Sequence, residues 1–217
     1  MTLSIPSIWG TISQISRNTS PGIETVIFFI IGEIDHEDSL GNKGKILSGQ
    51  RQWMTAGSGI LHQKIPHPAD RMPDVQLWIN LPSKDKMTEP KCFDITGDMI
   101  GKKVMNNATV RVISGKYEEV AGVSPRHVQA TFFDVGLNGC SLISLYTKPK
   151  DDAFIFLIVG DAIVHGESIR EKIEVCGKGD CVTVSAPKKK KSRFLLLSAE
   201  PLNGPISWGG PIVMNTA

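Results

Sequence analysis

The sequence predicts an all-β protein made of two similar β-barrel or β-sandwich units in tandem. Its 217 residues include 21 glycines and 13 prolines spread along the whole chain, which favours many short strands joined by turns. Two apolar strands each lead into a glycine, an acidic residue and a return strand, at Phe28–Ile34 and at Phe154–Ala162. A repeat of this kind indicates an internal duplication.

The polar, lysine-rich segment Pro82–Pro90 is the expected boundary between the units. It predicts a first barrel over residues 1–85 and a second over residues 91–217. The lead-in, residues 1–22, has little periodicity and is expected to be loosely ordered. The first barrel is also expected to be incomplete. A second, shorter repeat is also expected. In it, Ser48-Gly49 precedes Trp53 in the first unit as residues 178–180 precede Val182 in the second.

Alternating or β-branched runs predict the individual strands. In the first unit they are Glu24–Ile31, Lys45–Leu47, Arg51–Thr55 and Val75–Leu81, with a hairpin turn at Ser39–Gly44. In the second unit they are Thr109–Ser114, Thr131–Val135, Ser141–Tyr146, Ala153–Val159, Ala162–Val164, Lys172–Val175, Cys181–Ser185 and Phe194–Ala199. No long amphipathic helix is predicted.

The composition and the cysteine spacing argue against several classes of function. The net charge of +2 is too small to indicate nucleic-acid or membrane binding by itself. No two of the four cysteines form a CxxC pair, so a thiolate zinc site is not predicted. The start of the chain lacks the features of a secretory signal, and the longest apolar runs are too short to span a bilayer. We therefore expect free thiols in a reducing compartment.

The segment from Gly49 to His62 carries three glycines and ends on a histidine. Glycines placed this densely beside a strand mark tight bends or close backbone approach. We therefore expect the segment to build a barrel wall and to aim His62 into a cavity.

Three blocks of sequence, Gly22–Val26, His36–Gly44 and Gln52–His62, resemble the pirin family in order and spacing. Gln76–Leu81, Lys86–Pro90, Gly204-Pro205 and Val213–Thr216 are similar to the same family. The resemblance implies two cupin-type β-barrels in tandem. It also implies a metal, usually Fe(II), held in the first barrel by three histidines and one glutamate. Family members are described as nuclear transcription co-regulators, and some oxidise quercetin as dioxygenases.

This chain differs from the family pattern at the implied metal ligands. The two histidines of the first motif fall on Asn18 and Ser20, and the carboxylate of the second motif falls on Lys64. His62 is the only family ligand that is retained. The pKa of a lysine, ordinarily about 10.4, must fall by about three units before half of the side chain is neutral at pH 7, so we expect lost or weakened iron binding and no cofactor.

Other candidate residues have a structural and a functional interpretation. His36–Asp38 could form a ligand cluster, but a solvated hairpin face is favoured. His67 is expected in a loop, and His127 and His165 are expected to be surface or ordinarily hydrogen-bonded histidines. The basic run Lys188–Arg193 could act as a nuclear import signal or a phosphate-facing patch, but a solvated loop between two strands is favoured.

The leading prediction is a pirin-like, non-catalytic interaction module or transcription co-regulator in the nucleus or cytoplasm. It would bind a protein partner, with no direct nucleic-acid binding and no membrane association. One alternative is an Fe(II)-dependent dioxygenase of the quercetin 2,3-dioxygenase type, which requires ligands that the matching positions do not supply. The other is the product of a decayed gene without a stable function.

Overall fold

A computed structural model of the chain describes residues 2–4, 16–30, 32–66, 74–169, 173–177, 179–188 and 190–216. Within these ranges the secondary structure is β-strand, apart from two single-turn 3-10 helices at Ser83–Asp85 and Gly97–Met99. The chain divides into two compact units, one of Met1–Gly97 with Leu202–Ala217 and one of Asp98–Pro201. This division counts the closing segment with the first unit, whereas the predicted second domain, 91–217, includes it.

The strands are numbered in chain order. Those of the first unit are β1 (Thr2–Ser4), β2 (Ser16–Thr19), β3 (Ile23–Phe29), β4 (Glu33–Asp38), β5 (Lys43–Leu47), β6 (Arg51–Thr55), β7 (Leu61–Pro66), β8 (Asp74–Asn80), β9 (Lys91–Ile95), β22 (Ser207–Gly209) and β23 (Ile212–Met214). Those of the second unit are β10 (Gly101–Val104), β11 (Ala108–Ser114), β12 (Lys116–Tyr117), β13 (Val120–Ala121), β14 (Thr131–Leu137), β15 (Leu142–Tyr146), β16 (Asp152–Val159), β17 (Ile163–Val164), β18 (Glu167–Ser168), β19 (Ile173–Cys176), β20 (Cys181–Ser185) and β21 (Ser192–Ala199).

Two antiparallel sheets form the wall of the first unit. One has the strand order β1-β8-β3-β6-β9 and the other β2-β7-β4-β5. Ile27 and Phe29 of the first sheet pack against Ile34 and Ile46 of the second. These contacts identify the face of each sheet that points into the barrel, because side chains two residues apart on a strand share a face.

Seven strands of the second unit repeat the pairing pattern of seven strands in the first. Its sheets have the orders β10-β11-β14-β21-β16-β19 and β15-β20-β17-β18, around one apolar core that both sheets line. The pairings of β2 to β8 recur in β15 to β21. In one sheet, β3 lies between β6 and β8, and β16 likewise lies between β19 and β21. In the other sheet, β4 pairs with β5 and β7, and β17 likewise pairs with β18 and β20. The predicted all-β fold with an internal duplication is therefore confirmed.

One detail of the predicted repeat is wrong. The turn at Ser48-Gly49 precedes β6, whereas residues 179 and 180 precede β20, which occupies the place of β7. The structural counterpart of that second turn is Ala56–Ile60, between β6 and β7. A glycine beside a strand start is common to many hairpins, so the short match did not determine the alignment.

Lys86 joins the closing hairpin, β22–β23, to the rest of the first unit. Its buried ammonium donates hydrogen bonds to the Gly22 carbonyl at 2.9 Å, to the Val213 carbonyl at 2.6 Å and to the side-chain oxygen of Asn80. Gly22 has φ +80°, and a Cβ there would lie 2.0 Å from the Val213 carbonyl oxygen. Only glycine therefore allows the hairpin to approach the start of β3.

Candidate functional site

Strand β7 places His62 and Lys64 on the inner face of the first barrel. Leu61 and Ile65 are 56% and 39% exposed, whereas His62 is 8% exposed and Lys64 is partly buried. This alternation is the signature of a strand with one face inside and one face in solvent. The prediction that His62 points into the barrel agrees with this placement.

The backbone register brings the matching positions of the two family motifs together. Asn18 on β2 lies directly opposite His62 on β7, and Ser16 lies opposite Lys64. Ser20 is buried just beyond the end of β2. Asn18 and His62 are thus direct neighbours across two strands, with Lys64 two residues along β7 in one direction and Ser20 two residues beyond Asn18 in the other.

The interpretation of His36–Asp38 as a solvated hairpin face is wrong. Asp38 lies opposite His62 and His36 lies opposite Lys64, and both side chains are about as buried as His62. Only Glu37 faces solvent. The missed signal was the period-two alternation Ile34, His36, Asp38, which predicts one inner face once Ile34 is assigned to the core.

Asp38 has its acceptors occupied by its own turn. Its Oδ1 accepts hydrogen bonds from the Leu40 and Asn42 amides at 2.9 and 3.1 Å, and its Oδ2 accepts one from the Asn42 side chain at 2.8 Å. An aspartate that caps a turn through three hydrogen bonds is serving a local structural role.

His36 is held by the opposite sheet. Gln52 Nε2 lies 3.2 Å from His36 Nε2 and donates a hydrogen bond to Asp94 Oδ1 at 3.0 Å. A Cβ at Gly44 would lie 2.8 Å from His36 Nε2. The glycine on β5 therefore leaves the space that the imidazole occupies.

A row of four residues crosses the opposite sheet at the level of the site. Thr25 lies opposite both Trp78 and Met54, and Met54 lies opposite Cys92. Thr25 shares the inner face of β3 with Ile27, which packs against the β4–β5 sheet. The Thr25 hydroxyl and the Trp78 indole N–H are buried and have no hydrogen-bond partner among the residues that the structure describes.

The interior changes the proton affinities of the two site bases. Burial lowers the pKa of Lys64 to about 8, although the charge of Asp74 and the Cys92 thiol oppose the change. Burial, followed by the positive charge of Lys64, lowers the pKa of His62 to about 4, against the opposing influence of Asp38. At pH 7, Lys64 is therefore mainly an ammonium and His62 a neutral imidazole.

Burial also raises the pKa values of two acidic groups that interact with Lys64, which favours their neutral forms. Burial raises the pKa of Cys92 to about 12, with Asp38 and Asp94 adding to the effect and Lys64 opposing it. Burial also raises the pKa of Asp74, while Lys64 lowers it. Lys64 therefore influences the protonation of Cys92 and Asp74, and each of them influences that of Lys64.

The metal-ligating atoms of the site residues determine which metal ion the site could bind. Fe(II) sites of the mononuclear oxygenase type use about three imidazole or carboxylate ligands on one face. Here His62 offers one imidazole lone pair, and the ammonium of Lys64 offers none. Within the described parts of the chain, no three histidine, cysteine or acidic side chains are grouped closely enough to bind one ion.

The low pKa of His62 predicts an acid-sensitive first barrel. Between about pH 6.5 and pH 4, the unfolded chain protonates this histidine and the folded chain does not, so the free energy of unfolding falls as pH falls. We expect wild type to lose about 2 kcal/mol between pH 7 and pH 5 that His62→Gln does not lose, since each pKa unit corresponds to about 1.36 kcal/mol. Denaturant unfolding at both pH values measures this difference.

The matched control is His165→Asn. His165 is exposed and has φ 50°, a left-handed conformation that asparagine tolerates. An equal pH dependence in wild type and His62→Gln would contradict the assignment of this acid sensitivity to His62.

The other sequence candidates belong to the second unit or lie outside the described residues. His127 and His165 belong to the second unit, and His67 lies outside the described residues. In the basic run, Lys188, Lys190 and Lys191 are exposed between β20 and β21, Lys189 lies outside the described residues, and Arg193 belongs to β21, where it donates two hydrogen bonds to buried Asp134. In the part of the chain that the structure describes, no helix is long and apolar enough to cross a membrane.

Two protein-family models and several known proteins match most of this chain. The model of the Pirin family matches residues 9–79, and that of the Pirin C-terminal cupin domain matches residues 132–217. Human pirin is 36% identical over 201 residues, covering 90% of this chain and 69% of the human protein. Pirin-1 of Arabidopsis thaliana is also 36% identical over 201 residues, covering 90% of this chain and 70% of that protein.

A solved structure extends the similarity over almost the whole chain. The crystal structure of quercetin 2,3-dioxygenase from Acinetobacter baumannii superposes with a TM-score of 0.86 at 30% sequence identity, covering 99% of this chain and 78% of that one. Two family models and relatives above 30% identity match this chain, in agreement with its duplicated barrel fold. The chain belongs to the pirin family.

Proposed function

We propose that this chain is a pirin-family protein that acts by binding a protein partner, as a transcription co-regulator, and that it does not hold iron in the manner implied for its family. The observation that carries the proposal is Lys64, whose ammonium lies on the inner face of β7 where the family pattern places a carboxylate. Leu61 and Ile65, on the other face of β7, are exposed, which supports this placement of Lys64.

The electrostatics of the site support the same conclusion. At an effective dielectric constant of about 20, a unit charge 4 Å from another contributes about 4 kcal/mol. An ammonium in place of a carboxylate therefore changes an attraction for a divalent cation into a repulsion of similar size. The amide of Asn18 and the hydroxyl of Ser20 are weak neutral donors that cannot offset this change.

The cellular role follows from the family resemblance. We propose a location in the nucleus or cytoplasm and a protein partner linked to transcription. We do not propose direct nucleic-acid binding. The net charge is only +2, and exposed acids near the basic run offset its positive charge, so a broad positive face is not expected.

Counting bound iron tests the proposal. The purified protein would be loaded with Fe(II) under anaerobic conditions, desalted and analysed for iron, with human pirin treated in parallel as the positive control. We expect clearly less than one iron per chain. One iron per chain, lost on His62→Ala, would overturn the proposal.

A second candidate function is an Fe(II)-dependent dioxygenase of the quercetin 2,3-dioxygenase type. It is favoured by the extent of the match to the Acinetobacter baumannii enzyme and by the retention of His62. Oxygen uptake with quercetin after iron loading distinguishes it from the first proposal. Consumption of oxygen that depends on both quercetin and His62 would support the enzyme, and its absence would exclude this substrate.

A further inference from the structure

The interior of the first barrel holds two buried hydrogen-bond donors without acceptors, and a histidine and a lysine lie on the facing sheet. Thr25 and Trp78 contribute a buried hydroxyl and a buried indole N–H that have no partner among the described residues. Among the described residues, the His62 ring and the Lys64 ammonium also form no hydrogen bond or ion pair. Buried donors are nearly always satisfied in folded proteins, so the Thr25 hydroxyl and the Trp78 indole N–H call for a specific explanation.

These donors lie around one space. Thr25 and Trp78 belong to the row that continues through Met54 to Cys92 on the inner face of one sheet. Gln52 on the same sheet lies 3.2 Å from His36 on the other sheet, and His36 lies opposite Lys64 in the backbone register. The row on β8, β3, β6 and β9 therefore faces β7 and β4 across the barrel interior.

The acceptors near this space are mostly in use. Asp38 accepts three hydrogen bonds from its turn, and Asp94 accepts one from Gln52 and lies 3.8 Å from His36. Asp74 interacts with Lys64 through space, but no ion pair within 4 Å joins these two described residues. The Lys64 ammonium therefore remains available to a ligand.

We propose that the interior of the first barrel binds a small organic carboxylate directly, with the Lys64 ammonium supplying the positive charge that a metal ion supplies elsewhere in the family. A carboxylate has two oxygens that can accept about four hydrogen bonds. Lys64 and His62 face one side of the ligand, and Thr25 and Trp78 face the other. Charge-assisted hydrogen bonds of this kind are the stronger ones in proteins. This inference rests on the proposed loss of iron binding.

Benzoate and its neutral isostere benzamide are suitable probes, because they differ in the charge of one group. Titration calorimetry in the presence of EDTA would measure both dissociation constants on the full chain. We expect benzamide to bind at least about tenfold more weakly than benzoate, because it lacks the charge that pairs with Lys64. Equal affinities would overturn the proposal.

Variants assign the binding to this space. We expect Lys64→Met to weaken benzoate binding at least about tenfold and Thr25→Val, which removes only the hydroxyl, at least about threefold. Lys45→Met is the matched control, since Lys45 is an exposed lysine on the outer face of neighbouring β5, and its affinity should stay within about twofold of wild type. Unchanged binding in Lys64→Met would overturn the proposal.

Two further measurements keep the test decisive. Lys64→Gln serves as a second variant if Lys64→Met melts at a lower temperature than wild type. The iron count is made on the same preparation without EDTA. Stoichiometric iron would overturn the proposed function, whereas the benzoate result with EDTA decides the carboxylate site independently.

Discussion

A variant that carries Asn18→His, Ser20→His and Lys64→Glu is expected to bind one Fe(II) per chain, with an affinity more than about 1000-fold above wild type. The substitutions return three lone-pair donors near His62: position 18 lies opposite it on β2, position 20 lies just beyond the end of β2, and position 64 lies two residues along β7. Replacing the cation at position 64 by an anion alone corresponds to about 4 kcal/mol per unit of charge at 4 Å, and about 1.4 kcal/mol is a factor of ten in affinity. Anaerobic iron titration with a competing chelator measures the change.

The control for the restored site is the same triple variant with His62→Ala. We expect this fourth substitution to remove most of the gained affinity, because His62 is the ligand that all versions share. The single variant Lys64→Glu should show an intermediate gain. If the triple variant binds no more iron than wild type while melting cooperatively, positions 18, 20 and 64 are not equivalent to the family ligands.

Lys86→Met is expected to lower the free energy of unfolding by about 3 kcal/mol. Each buried acceptor left without a donor costs about 1–3 kcal/mol, and Lys86 donates to the Gly22 carbonyl, the Val213 carbonyl and Asn80. Burial lowers the pKa of Lys86, so removing the ammonium returns part of this cost. The loss of three partners outweighs that gain. Denaturant unfolding at pH 7 measures the result.

The same 3-10 turn offers a matched control. Lys84 is exposed, and Lys84→Met should change the unfolding free energy by less than about 0.5 kcal/mol. Hydrogen exchange gives a local readout, because Lys86 joins β23 to the start of β3. We expect faster exchange at β22 and β23 in Lys86→Met than in Lys84→Met. Equal stabilities of the two variants would show that Lys86 does not hold the hairpin.

Local sequence signals were sufficient for the strands that are apolar or alternate clearly. β3, β6, β8 and β21 all correspond to predicted strands with small differences at their ends. The strands without predictions, including β7 and β9, carry mixed polar and charged residues. Their strand conformation depends on pairing with distant segments, which local propensity does not report.

The site was predicted in part. His62 and the positions of Asn18, Ser20 and Lys64 came from the family resemblance, and the register places Asn18 opposite His62. Thr25, Trp78, Gln52 and Cys92 were missed as site residues because they come from strands up to about 70 residues apart. Their grouping depends on the register of β3, β6, β8 and β9, and a shift of one residue would turn each of them to the other face.

The sequence by itself determined that this is a duplicated β protein of the pirin type with a lysine in place of a carboxylate. Those features can be identified from the order of the residues and from the residue type at single positions. Only the tertiary structure decided that His36 and Asp38 face inward, that Asp38 is committed to its own turn, and that Lys64 faces the sheet that carries the unpartnered Thr25 hydroxyl and Trp78 indole N–H. The physical reason is that burial and partner choice depend on which strands pair and in which register, and these are long-range properties of the folded chain.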